Sequence, residues 1–81
     1  MTIGEVIKTV RTQLDLSQAK FAEIVNVEIS TVSKWENDKT LPKSKSKKLL
    51  SDFMRKHNIS EEWIEIIGSV YLSKRFFTKL H

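Results

Sequence analysis

Within residues 28–37, EISTVSKWEN, the side chains that can hydrogen-bond or offer a methyl fall together. At helical spacing, positions 29, 30, 33, 34 and 37 share one contiguous face, which here carries Ile29, Ser30, Ser33, Lys34 and Asn37. The apolar Val32 and Trp35 lie three apart on the other side, and Val27 just precedes the helix. Such a face suits the edges of nucleobases. Lys34 can donate to guanine O6 or N7, a contact worth on the order of 1–3 kcal/mol of discrimination when well formed. Ser30 and Ser33 both donate and accept. Ile29 either packs on a thymine methyl or is partly buried against the preceding helix. A solvated helix surface has much the same composition, so the face gains meaning only from the elements that hold it.

Those elements are legible over Leu16 to Asn37. In Gln18–Val25 the apolar Phe21, Ile24 and Val25 have the i, i+3, i+4 spacing of one helix face, beside a small Ala22 that lets two helices cross closely. Ser17 stands where its hydroxyl can accept an orphan backbone N–H. Asn26 is the turn residue, and after glycine it is the residue that best tolerates the left-handed region. Two short helices joined by a tight turn, the second with an uncovered polar face, have the layout of a helix-turn-helix whose second helix enters the DNA major groove.

The rest of the chain reads as further helix. The first spans about Ile3 to Leu14 with the stripe Val6, Ile7, Val10 and Leu14, and Thr2 with Glu5 forms a capping box. Asp15 lies in the connection and Leu16 tucks under the second helix. Asn37 to Thr40 is a loop closed by Leu41-Pro42. A fourth helix begins near Lys43 or Ser44 and runs to about His57, with Leu49, Leu50, Phe53 and Met54 inward and Asn58 as its C-terminal cap. Ser60, followed by Glu61 and Glu62, opens a fifth, with Ile59 and Ile64 as a hydrophobic staple. Beyond it Trp63, Ile66, Ile67 and Val70 form one stripe, while Ile64, Tyr71, Leu72, Phe76, Phe77 and Leu80 add apolar surface elsewhere, and Gly68 ends or bends the helix.

Eighty-one residues make one small domain with a formal net charge of +4. The charge is concentrated. Lys39, Lys43, Lys45, Lys47, Lys48, Arg55 and Lys56 face only Asp52 between residues 39 and 56, a local net of +6. A basic patch directly after a candidate reading helix is an electrostatic footprint for phosphate, and lysines of this kind add affinity with little sequence preference. With no cysteine, disulfides and thiolate metal sites are excluded, and His57 and His81 lie too far apart in sequence to suggest a metal pair. No paired carboxylates, activated nucleophile or glycine-rich phosphate loop points to an enzyme. No cofactor is expected. The absence of a membrane-length apolar run or a signal-peptide core gives the expectation of a cytoplasmic protein.

From residue 3 to about 58 the sequence resembles the Cro/C1-type helix-turn-helix domain of phage repressors and related bacterial regulators, the XRE family. The resemblance rests on Arg11, Leu16-Ser17-Gln18, Phe21-Ala22, Val25-Asn26-Val27, Val32, Trp35-Glu36-Asn37 and Leu41-Pro42. It implies an all-α, compact four- to five-helix bundle of the lambda-repressor-like DNA-binding type that binds operator DNA, usually as a dimer. Gln18 matches the position that bonds a phosphate and helps orient the reading helix. Glu28, Ile29, Ser30, Ser33 and Lys34 match those that face base edges. Asn37 and Lys39 match a loop that contacts phosphate through side chain and backbone, and Arg11 and Glu36 match an ion pair between the first helix and the end of the reading helix. Two positions depart from the pattern: Asn26 replaces a preferred glycine, and Glu28 stands where a small hydroxyl or amide residue is usual. An acid at position 28 can cap the helix, the leading expectation, accept from a cytosine amino group, or repel phosphate.

The expected division is a DNA-binding domain over residues 1–58 and a helical tail over 59–81. The tail's surplus apolar surface makes Trp63, Ile67, Val70, Tyr71, Phe76 and Phe77 candidates for a dimer interface, the other reading being that it completes the core. The expected activity is sequence-specific transcriptional regulation, Cro- or repressor-like, by occupying an operator that is an inverted repeat. The competing activity is a protein-interaction module, an antitoxin or antirepressor whose tail grips another protein.

Overall fold

Most helix boundaries among the described residues have a local chemical cause. In the computed structural model, which describes residues 1–68, four helices follow in order: α1 (Ile3–Gln13), α2 (Gln18–Ile24), α3 (Ile29–Glu36) and α4 (Ser44–Lys56). Residues 61–68 form a fifth, α5, and there is no strand among the described residues. At the start of α1 the capping box is complete: the Glu5 N–H donates to Thr2 Oγ1 (3.1 Å) and the Thr2 N–H to Glu5 Oε1 (2.7 Å). At the start of α2 the Lys20 N–H donates to Ser17 Oγ (3.0 Å).

The four helix ends share one solution. Asp15, Asn26, Asp38 and Asn58 all have φ between 56° and 58°, the left-handed region, one residue past the C-cap of α1, α2, α3 and α4. The next residue's N–H then folds back to a carbonyl of the last turn: Leu16 to Arg11 (3.0 Å), Val27 to Ala22 (2.9 Å), Lys39 to Lys34 (2.8 Å) and Ile59 to Met54 (2.9 Å). This is the Schellman pattern, made here with Asn and Asp, whose short polar side chains tolerate the left-handed region better than other non-glycine residues. After α1, α2 and α4 the residue that folds back is apolar, and Leu16, Val27 and Ile59 each pack against the core. After α3 it is Lys39, which is exposed.

The core draws on all five helices. Val6, Ile7 and Val10 of α1, Phe21, Ala22 and Val25 around α2, Val32 and Trp35 of α3, Leu50, Phe53 and Met54 of α4, and Ile64 and Ile67 of α5 are all buried. Phe21 meets Phe53 edge to face, with centroids 5.6 Å apart, and this joins α2 to α4. Two expectations of inward residues are corrected. Ile24 is 42% exposed and Leu49 37% exposed. In α2 the core-facing arc is centred between Phe21, Ala22 and Val25, so Ile24 lies about 100° round the helix from its middle. Leu49 stands in the same relation to Leu50, Phe53 and Met54.

The core also does not end at residue 58. Ile64 and Ile67 are 4% and 0% exposed within the same cluster as the helix-turn-helix, so α5 completes the bundle rather than hanging from it. Ile67 is therefore unavailable as a dimer contact. Trp63 is half-buried against the core. The other candidates, Val70, Tyr71, Phe76 and Phe77, lie outside the described residues.

Candidate nucleic-acid interface

α3 is held on its inner side by Val32 and Trp35, which are 0% and 3% exposed. It packs against both α1 and α2. Its last residue, Glu36, is the hub of a polar network. Arg11 Nε donates to Glu36 Oε2 (2.6 Å) and Arg11 Nη2 to Glu36 Oε1 (3.0 Å), a two-pronged pair. Arg11 Nη1 donates to the Leu16 carbonyl (2.8 Å), and Gln18 Nε2 to Glu36 Oε1 (3.0 Å). One carboxylate thus fixes α1, the turn after it, the first residue of α2 and the end of α3 relative to one another. Burial pushes the Glu36 carboxyl up, but hydrogen bonds from Arg11 and Gln18, with the charges of Arg11 and Lys8, outweigh it and hold the group below its ordinary value. The hydrogen bond to Glu36 raises the Arg11 guanidinium, against the effect of its burial.

A second clasp holds the loop after α3. Thr2 Oγ1 donates to Asp38 Oδ2 (3.1 Å), and Gly4 is buried directly beneath that loop. A Cβ on Gly4 would overlap the Trp35 carbonyl oxygen and stand 2.6 Å from Asp38 Oδ1. Glycine is what lets the first turn of α1 approach the end of α3 this closely.

With α3 fixed, its outer side is open. Ile29 is 50% exposed, so about half of its side chain is open to solvent on this side. Glu28, Ser30 and Lys34 are exposed, and Ser33 is half-buried. Among the described residues neither Glu28 nor Lys34 has an ion-pair partner. The expected cap by Glu28 is corrected. Its backbone occupies the N-cap position of α3 (φ −72°, ψ 150°), but its side chain makes no cap hydrogen bond. N-capping favours short side chains whose oxygen sits close to the first-turn N–H groups, and glutamate is not among them.

The loop expectation changes as well. The Asn37 N–H donates to the Ser33 carbonyl (3.0 Å) and the Lys39 N–H to that of Lys34 (2.8 Å), so the cap of α3 already uses both backbone donors. The Asn37 amide nitrogen donates to the Ser33 carbonyl (2.8 Å) and, more weakly, to Ser33 Oγ (3.5 Å), so the Lys39 ammonium is the cation this loop can turn outward. Gln18, expected to bond a phosphate and to help orient the reading helix, spends one amide N–H on Glu36 at the end of that helix and has the other to offer. Lys43, Lys45 and Lys48 are exposed around the start of α4 and Lys47 is half-buried. No acidic residue occupies the first turn of α4, and Lys43 is its uncapped N-cap residue. Cations at the positive end of a helix cost the fold about 0.3–1 kcal/mol each, and an anion placed there would offset that cost.

Residue types alone carry no direct sign of two of these participants. The partner of Gln18 lies eighteen residues away, and Asp38 looks like any polar loop residue. A glycine in the first turn of an otherwise strong helix was a readable sign of close approach at Gly4.

The helix-turn-helix family matches residues 7–64, which spans the turn, α3, the basic start of α4 and the beginning of α5. The chain belongs to the Cro/C1-type helix-turn-helix family, the XRE family. No curated protein and no solved structure matches it. Members of the XRE family are DNA-binding transcription regulators, and this chain carries the domain through which they bind double-stranded DNA. The family match ends six residues beyond the point where the residue-by-residue resemblance stopped, in agreement with the burial of Ile64. No helix among the described residues is long and apolar enough to cross a membrane.

Proposed function

We propose that this protein is a sequence-specific regulator that occupies an operator, with α3 in the major groove, and represses by that occupancy. One observation carries the reading. Ile29, Ser30 and Lys34 remain in solvent on a helix whose opposite side and end are immobilised by the core and the Arg11–Glu36–Gln18 network. A rigid helix with an unused mixed donor, acceptor and methyl surface is what direct readout of base edges requires. Ser33, Glu28 and Asn37 extend that surface, and Gln18, Lys39, Lys43, Lys45, Lys47 and Lys48 supply phosphate contacts around it. The protein acts as a homodimer. The eight residues of α3 are about 12 Å long, the length of roughly three to four base pairs, too few for one copy to select an operator alone.

Selection of bound duplexes from a random library tests the proposal. The expected product is an inverted repeat whose half-sites lie about one helical turn (roughly 34–36 Å) apart. Weak, salt-sensitive binding to every duplex, with no enrichment, would overturn it in favour of a module that binds another protein.

A further inference from the structure

We propose that Glu28 sets one base of the operator half-site: its carboxylate accepts the amino group of a cytosine at the leading end of α3 and rejects bases that present only acceptors there. This rests on the major-groove reading above. Glu28 is exposed, takes no part in capping α3, and has no ion-pair partner among the described residues. Within the fold its charge meets only the positive end of α3, with no hydrogen bond or ion pair to hold it. In a groove flanked by phosphates a carboxylate is repelled, and docking strips water from it beside the half-exposed Ile29. A desolvated carboxylate that finds no donor weakens binding strongly; one that finds a donor restores it. In the major groove guanine offers two acceptors, and thymine an acceptor and a methyl. Adenine pairs its amino group with an acceptor on the same base edge. Cytosine offers the amino group alone. The residues at the start of a reading helix are those that reach base edges in helix-turn-helix proteins, and Glu28 is the first of them here. Discrimination then comes as much from rejected bases as from the accepted one.

The test compares the full chain with its Glu28→Gln variant in the same library selection. The Glu28 side chain makes no hydrogen bond or ion pair among the described residues, while its backbone carbonyl, which accepts from Thr31 and Val32, is kept in the variant. The variant should therefore fold as the parent does and unfold close to the parent's temperature, and a melting curve checks this. For the parent, one position in each half-site should require cytosine, with other bases depleted roughly five- to hundredfold. In Glu28→Gln that position alone should relax or move to adenine, whose N6 and N7 suit an amide, while the rest of the half-site is kept. An unchanged motif in the variant, whether or not all duplexes bind more tightly, overturns the assignment and leaves Glu28 at most a repulsive charge. A parent that enriches no motif at all overturns the sequence-specific reading together with it.

Discussion

Lys34 and Glu36 stand two residues apart on α3, one exposed without an ion-pair partner among the described residues, the other with its side chain 4% exposed and held by Arg11 and Gln18. Their substitutions should therefore fail in different ways. Lys34→Ala should leave stability unchanged and reduce binding to the selected operator more than to random duplex, by about 1–3 kcal/mol of lost discrimination. Equal losses on both, in titrations at one salt concentration, would make Lys34 a phosphate contact. Glu36 titrates below its ordinary value, so its pairing stabilises the fold fully above the unfolded value of about 4.3 and is lost as pH falls through the lower folded value. Glu36→Gln should accordingly destabilise the protein most at about pH 7 and progressively less as pH falls below the unfolded value of about 4.3 toward the lower folded one. Denaturant unfolding across a pH series measures this, and a gap that stays constant down to acid unfolding would show that the charge of Glu36 contributes nothing. Residue types alone suggested the Arg11–Glu36 pair only through the family resemblance. They could not show that Gln18 joins it, since a glutamine can bond almost any partner and the fold decides which is near.

At the level of helices and turns, the most readable features were those governed by neighbours within about four residues. Thr2 with Glu5, Ser17, Asn26 and Asn58 all act at their helix ends, because capping is a local hydrogen-bond problem. What escaped was set by geometry between helices. Ile24 and Leu49 satisfy the apolar spacing yet lie at its edge, since the spacing marks a stripe and the packing partner fixes its centre. Asp38 in the left-handed region consumes the very backbone N–H groups that the loop was expected to present. The closest approach, Gly4 beneath Trp35 and Asp38, gives the element-scale test. Gly4→Ala gains helix propensity but forces a methyl against a backbone carbonyl, which an overpacked core resists by about 1–3 kcal/mol. The expected result is a lower unfolding midpoint. An equal or higher one would mean that α1 can slide away from α3 at no cost.

For the molecule as a whole, α5 changes what a truncation can teach. A chain ending at residue 58 loses Ile64 and Ile67, each worth about 1.5–3 kcal/mol of burial, from a total stability of only about 5–15 kcal/mol in domains of this kind. It should lose cooperative unfolding in calorimetry. Retained cooperativity would place the folding unit within the first four helices. Charge acts at the same scale. Lys45→Ala with Lys48→Ala should weaken binding to all sequences alike and flatten the dependence of log affinity on log salt by about 1 per lost phosphate contact. An unchanged slope would remove the start of α4 from the interface. The open outer side of α3 has a last consequence, for inheritance rather than mechanism. Ile29, Ser30 and Lys34 support no core contact, cap or ion pair in the described fold, so their codons can change without endangering the scaffold. Duplicated copies of such a gene are free to drift toward new operators while each daughter protein still folds.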